Sequence, residues 1–246
     1  MRNIRLVLMY DGGNYFGFAS QDGVPTVAGE LKRSLKELFG GDIPVIGASR
    51  TDRGVHALGQ VVNFQCPAGI TAEKIASAVN FYLPRDIRVL LAEEAAPDFH
   101  ARFMAKGKEY RYRVFEGEQV PYDHRLYALH VRRPLNEAAM REGAKYLVGE
   151  HDFTSFAQEL TGDPVRTIHS IEIREAAHQM GRFLDFHFRG NGFLYKMIRT
   201  TAGTLLEVGS GKREPSEVDE VLKARDRRRA GVTALPQGLC LLKVEY

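Results

Sequence analysis

Hydrophobic and polar positions divide the chain into two runs with the same order of elements. Residues 3–10 (Asn-Ile-Arg-Leu-Val-Leu-Met-Tyr) predict a strand stopped by Asp11-Gly12-Gly13. Thr26 is placed to cap a helix over 27–39, with Leu31, Leu35 and Leu38 at helical spacing and Gly40-Gly41 as its stop. Strands at 44–49 and 58–65 then flank a polar loop around Asp52. A second helix at 72–82 turns Ile75, Val79 and Tyr82 inward and ends before Pro84, and a strand follows at 87–93. The order is β-α-β-β-α-β, a ferredoxin-like unit.

The second run begins with a strand at 108–115. There Tyr110, Tyr112 and Val114 alternate with Arg111, Arg113 and Phe115. An irregular stretch leads to a helix at 136–147, strands at 168–175 and 182–189, a helix at 192–208 and a last strand near 239–245. Order repeats here, but sequence does not. The expected fold class is therefore α+β, with two ferredoxin-like β-α-β-β-α-β halves and a mixed, mainly antiparallel sheet. Residues 1–105 form the first half, which carries the Asp52 loop. Residues 106–246 form the second, which completes a central cleft, a common setting for ligands.

Composition narrows the class without naming it. The 246 residues suffice to bury a sizeable core, and the apolar and charged fractions are those of a globular protein. No apolar run reaches the roughly 20 residues that span a bilayer. The start, Met1-Arg2-Asn3-Ile4-Arg5, lacks the pattern of a signal peptide, so a cytoplasmic location is expected. Cys66 and Cys240 form no CxxC pair, and the eight histidines show no ligand spacing, so a metal site is not expected. The net charge of +3 is only mildly basic. Local clusters say more. Lys106 to Arg113, Arg132-Arg133 and Lys223 to Arg229 are interleaved with Tyr and Phe elsewhere, a composition that favours nucleic acid as a partner.

The stretch richest in chemistry is Ser49-Arg50-Thr51-Asp52-Arg53-Gly54-Val55-His56-Ala57. Four ionisable groups lie within seven residues, and Gly54 lets the backbone bend close to a ligand. Neighbouring arginines keep an aspartate ionised, which suits a nucleophile or electrostatic stabiliser better than a general acid. A turn in which Asp52 caps backbone N–H groups satisfies the same residues. The loop alone leaves both readings open.

Arg50-Thr51-Asp52-x-Gly54-Val55-His56-Ala57 with Gly59-Gln60 resembles the signature of the tRNA pseudouridine synthase A family. Further segments agree in order: Phe99 to Phe103, Lys108 to Arg113, His151 to Phe156, Arg166 to Ile168, Gly190 to Arg199, Gly203 to Gly209 and Gln237 to Leu239. The resemblance implies the pseudouridine synthase fold and a reaction in which uridine loses its N1–C1′ bond, the uracil rotates and C5 joins C1′. Nothing external enters or leaves, so the family needs no cofactor or metal. It implies that Asp52 is the catalytic carboxylate. Attack on the sugar, attack on the base and help in removing the C2′ proton all remain compatible with that role. Arg50 matches a position that assists base flipping, because the target base must leave the RNA stack. Tyr110 matches an active-site tyrosine that packs on uracil. Arg199 matches a basic residue paired with the carboxylate, and Leu241 an apolar residue lining the uracil pocket. The implied substrate is the anticodon stem-loop of tRNA at positions 38–40, and the implied assembly is a homodimer.

Two other patterns compete. Arg189 to Lys196 resembles the RNP1 signature of a non-catalytic ferredoxin-like RNA-binding protein, but lacks the aromatic expected at Asn191. Gly209-Ser210-Gly211-Lys212 hints at a phosphate-binding loop without its first Gly or its Ser/Thr. The chain also departs from the family pattern. Arg53 stands where Ala is usual, Phe18-Ala19 replaces Trp-Gln, Ala28 replaces Gln, Val232 and Leu235 replace prolines, and Cys240 replaces Tyr. Arg53 adds a cation beside Asp52, where it is expected to contact an RNA phosphate.

Overall fold

The computed structural model describes residues 1–67 and 69–246, and the chain divides into two compact units. The first comprises Met1–Lys106 and Cys240–Tyr246, the second Gly107–Leu239.

In the first unit the elements are β1 (Arg2–Tyr10), α1 (Val27–Phe39), β2 (Ile46–Gly47), β3 (His56–Cys66), α2 (Ala72–Tyr82) and β4 (Ile87–Glu94). Both helices take the bounds that their apolar spacing predicts. Thr26 Oγ1 accepts from Gly29 N–H, and Gly40 closes α1 in the left-handed region at φ 76°. Strand β1 pairs antiparallel with β3 and β4, and β2 pairs antiparallel with β3. Ile4, Leu6 and Leu8 of β1, Val62 and Phe64 of β3, Leu31 and Leu35 of α1, and Ile75 and Val79 of α2 are buried as the core. Burying side chains of this size stabilises by about 1.5–3 kcal/mol each.

The last strand corrects the expected division at residue 106. β10 (Leu239–Glu245) runs parallel to β3, with Leu241 opposite Ala57, and from Cys240 onward it belongs to the first unit. Gly59 allows this approach: a Cβ there would collide with the carbonyl of Leu242. Sequence order places this strand with the second half because periodicity carries no information about long-range pairing.

The second unit holds β5 (Gly107–Glu116), β6 (Leu129–Val131), α3 (Glu137–Lys145), β7 (Gly149–Asp152), β8 (Val165–His178), β9 (Gly181–Gly190), α4 (Met197–Gly209) and α5 (Glu217–Ala224). Its strands run in the order β5-β9-β8-β7 with antiparallel pairing, and β6 lies parallel on β5. Elements β6, β7 and α5 are absent from the sequence reading; each is too short to show a period. Phe115, expected on the charged face of β5, is fully buried. It meets Phe183 directly across the ladder at 5.0 Å between ring centroids, with Ala128 and Val120 against them.

Helix α4 starts at Met197 rather than near 192. Lys196 sits in the left-handed region at φ 58°, which a helix cannot pass through, so residues 192–196 form a turn. The RNP1-like segment thus spans the end of β9 and this turn instead of lying on a strand. Gly209 is the last residue of α4 and Ser210 to Lys212 follow it, whereas a phosphate loop precedes its helix. No helix among the described residues is long and apolar enough to cross a membrane.

Candidate active site

The Asp52 loop occupies residues 48–55, between β2 and β3 of the first unit. Its stem is held by neutral polar groups. Tyr10 Oη and Thr51 Oγ1 lie 2.8 Å apart, Gln60 Nε2 donates to Ser49 O at 2.7 Å, and Gln60 Oε1 accepts from Ser49 N–H at 3.2 Å. Tyr10, Ser49, Thr51 and Gln60 are all buried, so each bond is made away from water and is costly to lose.

A second loop, residues 11–18, braces the first through its backbone. Phe18 N–H donates to Thr51 O at 3.0 Å, and Gly54 N–H donates to Tyr15 O at 3.2 Å. Two glycines make this approach possible. A Cβ on Gly12 would strike the carbonyl of Val55, and one on Gly17, which also sits at φ 100°, would lie 2.7 Å from Thr51 O. Gly12 N–H also donates to His56 Nδ1 at 3.1 Å. Gly54 turns the chain at φ 77°, and Val55 N–H closes the turn onto Asp52 O at 3.1 Å.

On this rigid stem Asp52 is half-buried, while Arg50 and Arg53 are exposed. The Arg53 guanidinium lies over the ring of Phe16, 4.0 Å from its centroid. Its stem is thus directed along the bracing loop, a use that sequence reading did not foresee. Arg50 makes no hydrogen bond or ion pair with other described residues. Leu241 is fully buried beside Ala57, at the start of the strand that leaves the loop.

Two further predicted residues, Tyr110 and Arg199, lie in the second unit. Tyr110, on β5, is buried opposite Phe188, and Phe193 packs edge-on against its ring at 5.5 Å and 88°. Phe193 reaches this position because the turn at 192–196 replaces the first helical turn expected there. Arg199 is in the first turn of α4 and half-buried. Its Nε donates to Ala234 O at 2.8 Å, and Ala234 N–H donates back to Arg199 O at 3.1 Å. Tyr112, two residues from Tyr110 on the same face of β5, donates its Oη to Leu235 O at 2.8 Å. Burial pushes the Tyr112 phenol up, and the nearby Arg199 cation opposes that shift in part. Tyr112 and the segment around residue 234 escaped the sequence reading. A buried tyrosine on an alternating strand looks like ordinary core, and the segment has no periodicity.

Among the described residues no cluster of His, Cys, Asp and Glu is arranged to hold a metal ion. Both cysteines are buried free thiols. The profile of the tRNA pseudouridine synthase family matches residues 6–104 and 144–246. The chain belongs to the tRNA pseudouridine synthase A family. A tRNA pseudouridine synthase A of Brevibacillus brevis is 44% identical over 248 residues, covering all of both chains. That of Moorella thermoacetica is 44% identical over 245 residues, covering 99% of each chain, and that of Thermoanaerobacter pseudethanolicus is 42% identical over 248 residues, again covering all of both.

Proposed function

We propose that this chain isomerises uridine to pseudouridine at positions 38–40 of the tRNA anticodon stem-loop, with Asp52 as the catalytic carboxylate. The observation that carries the proposal is the bracing of the Asp52 loop. Two glycine contacts, a buried hydroxyl–amide network and reciprocal backbone bonds fix the backbone that carries the half-buried Asp52. Such preorganisation is what a reacting group needs, because small displacements of it are costly in rate.

In this reading the target uridine leaves the stack and Arg50, exposed beside Asp52, fills the vacated space or holds the backbone phosphate. The uracil packs on the Tyr110 ring, which Phe193 keeps from turning, and against Leu241. Arg199, held through its Nε by the Ala234 carbonyl, is the active-site cation. The N1–C1′ bond breaks, the base rotates, C5 bonds to C1′, and the C5 proton leaves while N1 gains one. Reactant and product are isomers, so no oxidant, reductant or group donor is required. The protein works on tRNA in the cytoplasm as a homodimer.

Asp52→Asn keeps the shape and removes the charge. It is expected to bind tRNA normally and to form pseudouridine about a thousandfold more slowly or not at all, measured by carbodiimide labelling of the tRNA. Unchanged product formation would sink the proposal. Labelling outside positions 38–40 would leave the reaction standing and displace the substrate site.

A further inference from the structure

The segment from Ala230 to Leu235 lies along one face of α4 as a strap, and its contacts are unusually close. A Cβ on Gly203 would overlap the carbonyl of Val232, and one on Gly231 would lie 2.9 Å from Thr204 Cα. Glycine is unfavourable inside a helix by about 1 kcal/mol, so its place at 203 reflects this approach. Four residues of α4 at helical spacing, Thr200, Gly203, Thr204 and Glu207, make the face. Thr204 Oγ1 accepts from Gly231 N–H at 3.0 Å, and Glu207 Oε1 accepts from Val232 N–H at 3.3 Å. Proline, the usual residue of the family pattern at 232, could not make the second bond. Thr200 Oγ1 and Thr233 Oγ1 lie 3.2 Å apart. One residue further, Ala234 O receives the Arg199 Nε bond.

A single arginine ties this strap from its other side. Arg227 Nη2 donates to Thr233 Oγ1 at 2.8 Å and its Nη1 to Ala230 O at 3.4 Å. Its Nε is buried with no hydrogen-bond partner among the described residues. Burial pulls the guanidinium pKa down against the opposing charge of Glu207. A half-buried guanidinium with one buried N–H left unbonded contributes less to stability than its two bonds alone would return. Its location is better explained by what it holds.

We propose that Arg227 is a positioning residue for Arg199, fixing the strap through Thr233 so that the Ala234 carbonyl aims the Arg199 guanidinium. The inference rests on the reading of Arg199 as the active-site cation. Arg227 itself touches no reacting atom. It acts on the rate of isomerisation and leaves tRNA affinity alone.

Arg227→Met replaces the cation with an apolar chain of similar length. It is expected to lower the single-turnover rate of pseudouridine formation by about tenfold or more while changing the tRNA Kd by less than about twofold. The thermal midpoint should change little, since the two lost bonds are offset by removing a buried N–H that has no partner. Thr233→Val should act in the same direction with a smaller loss, and Thr233→Ser should restore the rate. In an Arg199→Ala background, Arg227→Met should add nothing, because residues acting through one group are not additive. Wild-type rates in both Arg227→Met and Thr233→Val would overturn the proposal. So would an undiminished further loss in the Arg199→Ala background, or a defect confined to Kd. Should Arg227→Met fail to fold, Thr233→Val and its serine rescue decide the matter alone. An Arg199→Ala enzyme as fast as wild type would instead remove the reading of Arg199 and leave that of Asp52 intact.

Discussion

Asp52 and Arg199 are held by devices that look alike and differ in one respect. Each sits beside a glycine that admits a neighbouring carbonyl: Gly12 against Val55 for the carboxylate, Gly203 against Val232 for the cation. Around Asp52 the braces are strand-anchored. Tyr10 and Gln60 belong to β1 and β3, and the bracing loop connects two regular elements. Around Arg199 the brace is the irregular strap, joined to a helix face by hydroxyls and one carboxylate. A loop clamped between strands shares the stability of the sheet, whereas a strap held by side chains can be loosened one bond at a time. The Asp52 loop is therefore expected to be the more rigid of the two and the Arg199 strap the more adjustable.

The largest test is Gly12→Ala. The added methyl meets a backbone carbonyl that cannot step aside, so stability should fall by about 3 kcal/mol in urea unfolding and the rate by about a hundredfold. Gly203→Ala is the matched change on the other side. It should cost less, about 1–2 kcal/mol, because alanine regains roughly 1 kcal/mol of helix propensity. Equal losses at both sites would erase the contrast between clamp and strap.

High pH probes both units together. Burial raises the phenol pKa of Tyr15, Tyr112 and Tyr246 above the ordinary 10.0, helped at Tyr15 by its hydrogen bond to Asp86. The native state then keeps protons that the unfolded chain has lost. Stability should be full below pH 10 and decline as pH rises beyond it, read as a falling thermal midpoint. Tyr112→Phe should lessen that decline. At neutral pH the same change should cost about 1 kcal/mol for the lost bond to Leu235 O, with a few-fold loss of rate.

Arg53→Ala should have the smallest effect. Its stacking on Phe16 is exposed and contributes about 0.5–1 kcal/mol, and the isomerisation rate at saturating tRNA should stay within about threefold. If Arg53 also meets a phosphate, the slope of log affinity against log salt should fall by about one. An unchanged slope would confine Arg53 to bracing the loop.

How much of this was legible depended on range. Thr26, the leucines at 31 and 35 and Gly40 fixed α1 because cap, face and stop lie within one helix. The Asp52 loop was visible as chemistry, since its ionisable residues are contiguous. Its bracing by Gly12 and Gly17 was not, for a glycine in sequence does not say which carbonyl will approach it. Phe193 and Leu194 continued the apolar spacing of α4, yet the left-handed Lys196 set the helix boundary after them.

The sequence by itself determined the two runs of elements, the caps and the family, because these rest on local periodicity and on residues matched in order. Only the tertiary structure decided that β10 lies beside β3, that Arg53 stacks on Phe16, and that Arg227 and Arg199 share one strap. These depend on partners tens of residues apart, and on backbone approaches that pattern and propensity do not encode.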